Sequence, residues 1–239
     1  MKPTAPSRDN FSVFAAPDGL PIPPQELRHL VSGDPNDTKS SFFDMGRHCT
    51  QRIVEALKKT EVEIDSFDAI LDFGCGCGRT IRHFGTLKKA KLYGTDYNPK
   101  LIDWCSRNLP FGQFSVNQLH PPLVYPERAF DLVYAFSVFT HLPESIQFSW
   151  MRELSRVLRP AGYLVISTLP LGMLPEDRRT GQLVVRKESE AGTNACLAYH
   201  TFAYVKEKLA KGFEVVEFIG SPHGQDFYLL KKLTEATCN

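Results

Sequence analysis

The chain has 239 residues, 42% of them hydrophobic, which suits one large globular domain and argues against a second independent one. Its 28 basic and 27 acidic residues leave a formal charge of +1, so no overall field draws it to nucleic acid or to an anionic membrane surface. Six scattered cysteines, an opening without a charged start and apolar core, and apolar runs far short of the roughly 20 residues that span a bilayer predict a cytoplasmic protein without membrane segments.

Residues 1–27 hold Pro3, Pro6, Pro17, Pro21, Pro23 and Pro24 with little apolar periodicity, which predicts an extended arm. A single domain is expected over 28–239, beginning with a helical cover over 28–60. A short helix should follow Pro24 and stop near Gly33. A second should run from about Ser41 to Lys59, with an apolar stripe of Phe42, Met45, Cys49, Ile53 and Leu57. An apolar stripe needs burial, so Phe42, Phe43 and Met45 are expected to lie over the ligand site. Within the core at 69–170, the run from Ala69 to Phe73 reads as a buried parallel strand ending in glycines. Strands at Lys91–Thr95, Phe114–Val116, Phe130–Phe136 and Tyr163–Thr168 then alternate with helices over Lys100–Leu109 and from Pro143 to near Pro160. Such alternation predicts a doubly wound α/β fold with a mainly parallel sheet. An insertion over 171–200 should form a polar lid. In the closing part, 201–232, a helix from Ala203 to Lys211 precedes strands Phe213–Ile219 and Phe227–Leu230. Their short link allows only antiparallel pairing.

Open α/β sheets bind ligands beyond the carboxyl ends of their strands. The loop Asp72-Phe73-Gly74-Cys75-Gly76-Cys77-Gly78 lies at such a place, and glycines there let a ligand approach the main chain. A helix starting near Arg79 is expected to aim its free N–H groups at an anionic ligand group, an effect of up to roughly 2 kcal/mol. Arg79 occupies the place where the dinucleotide fingerprint G-x-G-x-x-G requires its third glycine, which weakens a nicotinamide reading. Cys75 and Cys77, with no second pair at zinc spacing, read as part of the turn and not as a metal site. Asp96, ending the second strand, suits the vicinal hydroxyls of a ribose or, alternatively, a turn before Pro99. Asp131 sits at the wrong end of its strand for catalysis and reads as a solvated residue.

With these elements in order, the chain resembles a class I S-adenosylmethionine-dependent methyltransferase over about residues 69–170. The run from Phe130 to Leu142 resembles the fourth motif of that family, and the helix ending at Leu158-Arg159-Pro160-Ala161-Gly162 follows it as expected. The resemblance implies a Rossmann-like methyltransferase fold with a seven-stranded sheet and a C-terminal antiparallel strand pair. It also implies S-adenosyl-L-methionine as cofactor. Asp72 would hold the cofactor's amino group, the loop Phe73, Gly74, Cys75, Gly76 and Gly78 its methionine part, and Asp96 its ribose. Asn117 and Gln118 would meet the adenine, with Tyr97, Asn98, Phe136 and Ser137 completing the site.

The acceptor is expected to be a small molecule entering past the fourth strand. His141 lies there, either as a proton acceptor or as a helix-start residue packed on Trp150. Thr140 and His141, with Asn194, Tyr199 and His200 from the insertion, are the candidate acceptor residues, although ordinary loop polarity accounts for most of the last three. Competing readings are a nicotinamide-dependent oxidoreductase and a binding module that keeps the cofactor without turnover. A nucleic-acid methyltransferase is disfavoured by the balanced charge.

Overall fold

The computed structural model describes residues 16–221 and 224–234. Strands β1 (Ala69–Phe73), β2 (Lys91–Asp96), β3 (Gly112–Val116), β4 (Phe130–Ala135) and β5 (Leu158–Pro170) form a parallel array, with β4 and β1 at its centre. Two later strands, β8 (Phe213–Ile219) and β9 (Asp226–Lys232), pair antiparallel, and β9 lies antiparallel against β5. The main sheet therefore runs β3-β2-β1-β4-β5-β9-β8, the expected seven strands with their antiparallel end.

The insertion is not the plain polar loop its composition suggests. It contains β6 (Leu183–Arg186) and β7 (Leu197–His200), and β7 pairs with Leu169 and Pro170 at the end of β5, bringing the sheet to nine strands. Four-residue strands flanked by Gly181, Gly192 and charged residues leave too short an alternation to recognise.

Neighbouring residues of each central strand feed two cores. Leu71, Val133, Leu164 and Tyr228 pack with Trp150, Leu154 and Val157 of α4 (Glu144–Val157) on one face. Ile70, Leu132, Val165 and Phe227 pack with Ile53 and Leu57 of α2 (Lys39–Lys58) on the other. This is the period-two division of a sheet covered on both faces. Helix α1 (Gln25–Ser32) ends at Gly33 in the left-handed region, φ 66°. Thr38 caps α2 through a reciprocal bond with Ser41, and Asn98 caps α3 (Pro99–Asn108), with Pro99 in its first turn. Helix α5 (Phe202–Tyr204) continues as a π-helical turn, Val205–Leu209, over most of the span expected to be helical.

One expectation fails. No α-helix begins near Arg79; after the glycines the chain makes turns and a single 3-10 segment, Ile81–Phe84. Arg82 is buried there and donates to both carboxylate oxygens of Asp18 and to the carbonyls of Leu20 and Pro21, so this crossover is tied to the arm instead of extending as a helix. The arm is thus pinned at residues 18–21, and its residues 1–15 lie outside the described residues.

Candidate functional site

The loop after β1 folds back on β2: Gly74 and Cys75 donate their N–H groups to the Thr95 carbonyl at 2.8 and 3.0 Å. Gly76 donates to Asp96 Oδ2 at 2.9 Å, and Asn98 N–H donates to Asp96 Oδ1 at 2.8 Å. Each carboxylate oxygen keeps acceptor capacity beyond its one backbone partner, so Asp96 braces the loop and remains able to accept hydroxyl donors. Gly74 and Gly76 have φ 77° and 55°, and a Cβ on Gly76 would stand 2.7 Å from Val31 Cγ2 of α1. Glycine takes that position without strain on either count.

A cavity of about 270 Å³ opens over this loop, and Asp72, Phe73, Gly74, Cys75, Gly76, Asp96, Tyr97, Asn98, Asn117, Gln118, Phe136 and Ser137 all line it. Gly78, also expected there, is absent from its wall, and a Cβ on it would meet Leu109, Cys105 and Ile81. Sequence reasoning missed Leu30 and Val31 of α1, Arg79, Leu119 and the insertion residues Gly192 and Thr193. Leu30 and Val31 fall in the expected cover and Gly192 and Thr193 in the expected lid, but which side chains of those segments reach the cavity is decided by tertiary packing.

Asp72 Oδ2 is buried without a hydrogen-bond partner among the described residues. Burial pushes this carboxyl up to about 8, while the nearby Tyr134 hydroxyl opposes the shift without completing a bond of good geometry. An orphaned carboxyl facing a cavity calls for a cationic donor such as an ammonium group. A backbone cradle that excludes Cβ atoms, a carboxylate at the second strand end and this orphaned acid together fit S-adenosylmethionine. Asn117 fits less simply: its Oδ1 accepts from Thr95 and its Nδ2 donates to the Gln118 carbonyl, so the exposed Gln118 side chain is the freer amide.

A second cavity of about 630 Å³ adjoins the first, sharing Val31, Arg79, Phe136, Ser137, His141 and Asn194 in its wall. Thr140 and Met45 line it as well, whereas Phe42 packs with Cys77 and Leu101, and Phe43 sits edge-on to His83. Of the other expected acceptor residues, Tyr199 packs with Leu171 and Leu174, and His200 Nε2 bonds Gln147 in the core. Neither lines either cavity.

His141 Nδ1 lies 2.8 Å from the Cys196 carbonyl. A carbonyl only accepts, so Nδ1 carries the proton and Nε2 of the neutral ring keeps its lone pair. Burial lowers the His141 pKa, with the bond to Cys196 opposing, which favours that neutral ring. Ser137 sits beside it at φ 57°, its N–H donating to Ser167 Oγ and its hydroxyl bonded to Gln225. A non-glycine residue held in the left-handed region by such bonds marks a place where the chain turns sharply for the site. Asp131, expected to be a solvated residue, is instead tied into the structure: it accepts from the N–H groups of Asp68 and Ala69 and pairs with Arg159.

Residues 71–166 match the family model of a methyltransferase domain. Methyltransferase GfsG of Streptomyces halstedii is 24% identical over 133 residues, a stretch covering 53% of this chain and 45% of that relative, so the chain matches under half of the relative's length. Similar solved structures include an S-adenosylmethionine-dependent methyltransferase from Mesorhizobium loti, with TM-score 0.61 and 17% identity over 74% of this chain and 96% of that one. Another from Methanosarcina mazei has TM-score 0.54 and 20% identity, covering 70% and 93%. The [4+2]-cyclase SpnF is also similar, with TM-score 0.55 and 17% identity, covering 76% and 80%.

Proposed function

We propose that this chain, whose residues 71–166 match a methyltransferase domain, is a class I S-adenosylmethionine-dependent methyltransferase that transfers a methyl group from that cofactor to a small-molecule acceptor. The carrying observation is the pair of joined cavities: one bears the Asp72 and Asp96 carboxylates, and the other opens from its wall at Ser137 and His141. When bound, S-adenosylmethionine supplies a sulfonium methyl that an acceptor lone pair takes in line, the C–S electron pair returning to sulfur. Asp72 would hold the ammonium group and Asp96 the ribose hydroxyls, with Gln118 near the adenine and the backbone of Gly74 to Gly76 against the methionine part. His141 Nε2, on the wall common to both cavities, would take the acceptor's proton. The remaining work is placement, for which holding the reacting atoms at about 3 to 3.5 Å supplies roughly 7 to 11 kcal/mol.

Isotope-labelled S-adenosylmethionine, incubated with the protein and a metabolite extract, should label at least one small molecule detectable by mass spectrometry. On that acceptor His141→Ala should lower turnover by roughly 10²-fold while cofactor affinity is kept. Normal turnover by the folded variant removes His141 as the base. Cofactor binding with no labelled acceptor would favour the second reading, a domain that uses the cofactor site for another purpose. The likeness to a [4+2]-cyclase makes that reading specific.

A further inference from the structure

The charges of the two cavities are segregated. Asp72 and Asp96 line the smaller one, whereas the described residues lining the larger one include no aspartate or glutamate. The larger cavity holds His48 and Arg52 on a single face of α2, at a spacing that also brings in Met45 and Cys49. Arg79 and His141 stand on the wall between the two.

Arg52 and Arg79 make no hydrogen bond or ion pair among the described residues, although both are half-buried. Elsewhere the half-buried and buried arginines are paired: Arg28 with Asp37, Arg82 with Asp18, Arg156 with Glu153 and Arg159 with Asp131. Both unpaired guanidinium groups act electrostatically on the Cys49 thiol in the same wall, so they converge on one region. Arg79 has the Asp72 carboxyl as an electrostatic neighbour, whereas no acidic residue lines the larger cavity beside Arg52, and a planar guanidinium in a partly dry wall is a preformed seat for an anion. Arg79 also borders the smaller cavity and is open to the cofactor's carboxylate, which leaves Arg52 as the cation belonging to the acceptor space alone.

We propose that the acceptor is an acidic small molecule whose anionic group is held by Arg52 of α2, with its apolar frame against Met45, Phe136 and Phe227. This rests on the reading of the smaller cavity as the cofactor site. The anion sets the charge class of the acceptor, and the apolar wall excludes a bare inorganic ion as the intended ligand.

Benzoate, phenyl phosphate, benzamide and benzylamine share one ring and differ in their head group. Titrated by saturation-transfer NMR into protein saturated with S-adenosylhomocysteine, one of the two anions should bind at least tenfold more tightly than benzamide, and benzylamine should bind least. The better anion identifies carboxylate or phosphate as the group recognised. Arg52→Gln should erase the anion preference, Arg52→Lys should keep part of it, and both variants should bind S-adenosylhomocysteine as the wild type does, which also shows that they fold. Anions binding no better than benzamide, or an anion preference that survives in Arg52→Gln, overturns the proposal. So does Arg52→Gln weakening S-adenosylhomocysteine instead, since Arg52 would then serve the cofactor. Failure of wild-type protein to bind S-adenosylhomocysteine at all overturns the cofactor reading itself, and this inference with it.

Discussion

Asp72 carries the sharpest consequence at the level of single residues, because its carboxyl is buried, lacks a partner on Oδ2, and is pushed up to about 8 by that burial. An unfolded aspartate titrates near 3.9, so between about pH 4 and pH 8 the folded chain holds a proton that the unfolded chain has released. The contribution of Asp72 to stability therefore falls as pH rises through that window. Cofactor binding has the opposite dependence: an ammonium group needs the carboxylate, so below pH 8 binding must expel the proton. S-Adenosylhomocysteine should bind roughly 50-fold more tightly at pH 8 than at pH 6, with proton release seen as a buffer-dependent calorimetric enthalpy. Asp72→Asn should bind weakly at both pH values. Equal wild-type affinity at the two would remove Asp72 from contact with the ammonium group. The sequence made Asp72 and Asp96 legible because glycines and a strand end flank them, whereas Arg52 looked like any exposed helix cation. Its role emerges only when β4, β5 and the insertion close the other side of the cavity.

At the level of elements, the alternation from β1 to β5 was readable because each strand is a short apolar run bounded by turns, and α2, α3 and α4 each carry one apolar stripe. The stretch after Gly78 departs from the expected helix for a physical reason. Arg82 looks like a helix-surface residue, yet its side chain is fully buried and held by Asp18 and two arm carbonyls, so a long-range polar cluster decides the local conformation. The arm is consequently part of the core's polar bonding. Residues 16–24 lack periodicity, and no local signal shows that contact. Asp18→Ala would leave the buried guanidinium with carbonyl partners only, which should cost about 3 kcal/mol of unfolding free energy in a urea titration. A midpoint unchanged from the wild type would mean that solvent or the carbonyls satisfy Arg82. The same contact implies that deleting the arm and α1 damages stability as well as binding, so a truncation cannot isolate the covering role of Val31 over Gly76.

Across the whole molecule, the smaller cavity draws its walls from α1, the three strand ends of β1, β2 and β4, and the insertion, a span from Leu30 to Asn194. Asn194 donates to the Leu30 carbonyl at 3.2 Å and Gly192 N–H donates to the His141 carbonyl at 2.8 Å, so insertion and N-terminal helix meet above the sheet. These links are few and polar, whereas the sheet and its two cores are continuous, and the roof should open more readily than the body. A ligand filling the cavity touches segments far apart in sequence and binds the folded chain alone. At 100 times its dissociation constant such a ligand adds about 2.7 kcal/mol. For a domain of this size each kcal/mol raises the midpoint by roughly 2 to 4 °C, so S-adenosylhomocysteine should raise the thermal midpoint by about 5 to 10 °C in scanning fluorimetry. NADH at the same concentration should leave the midpoint unchanged, because Arg79 occupies the fingerprint position where a dinucleotide site needs glycine. A shift with NADH and none with S-adenosylhomocysteine would restore the nicotinamide reading. A shift with both would mean that the cavity recognises the adenosine moiety they share and leaves the methionine part unread.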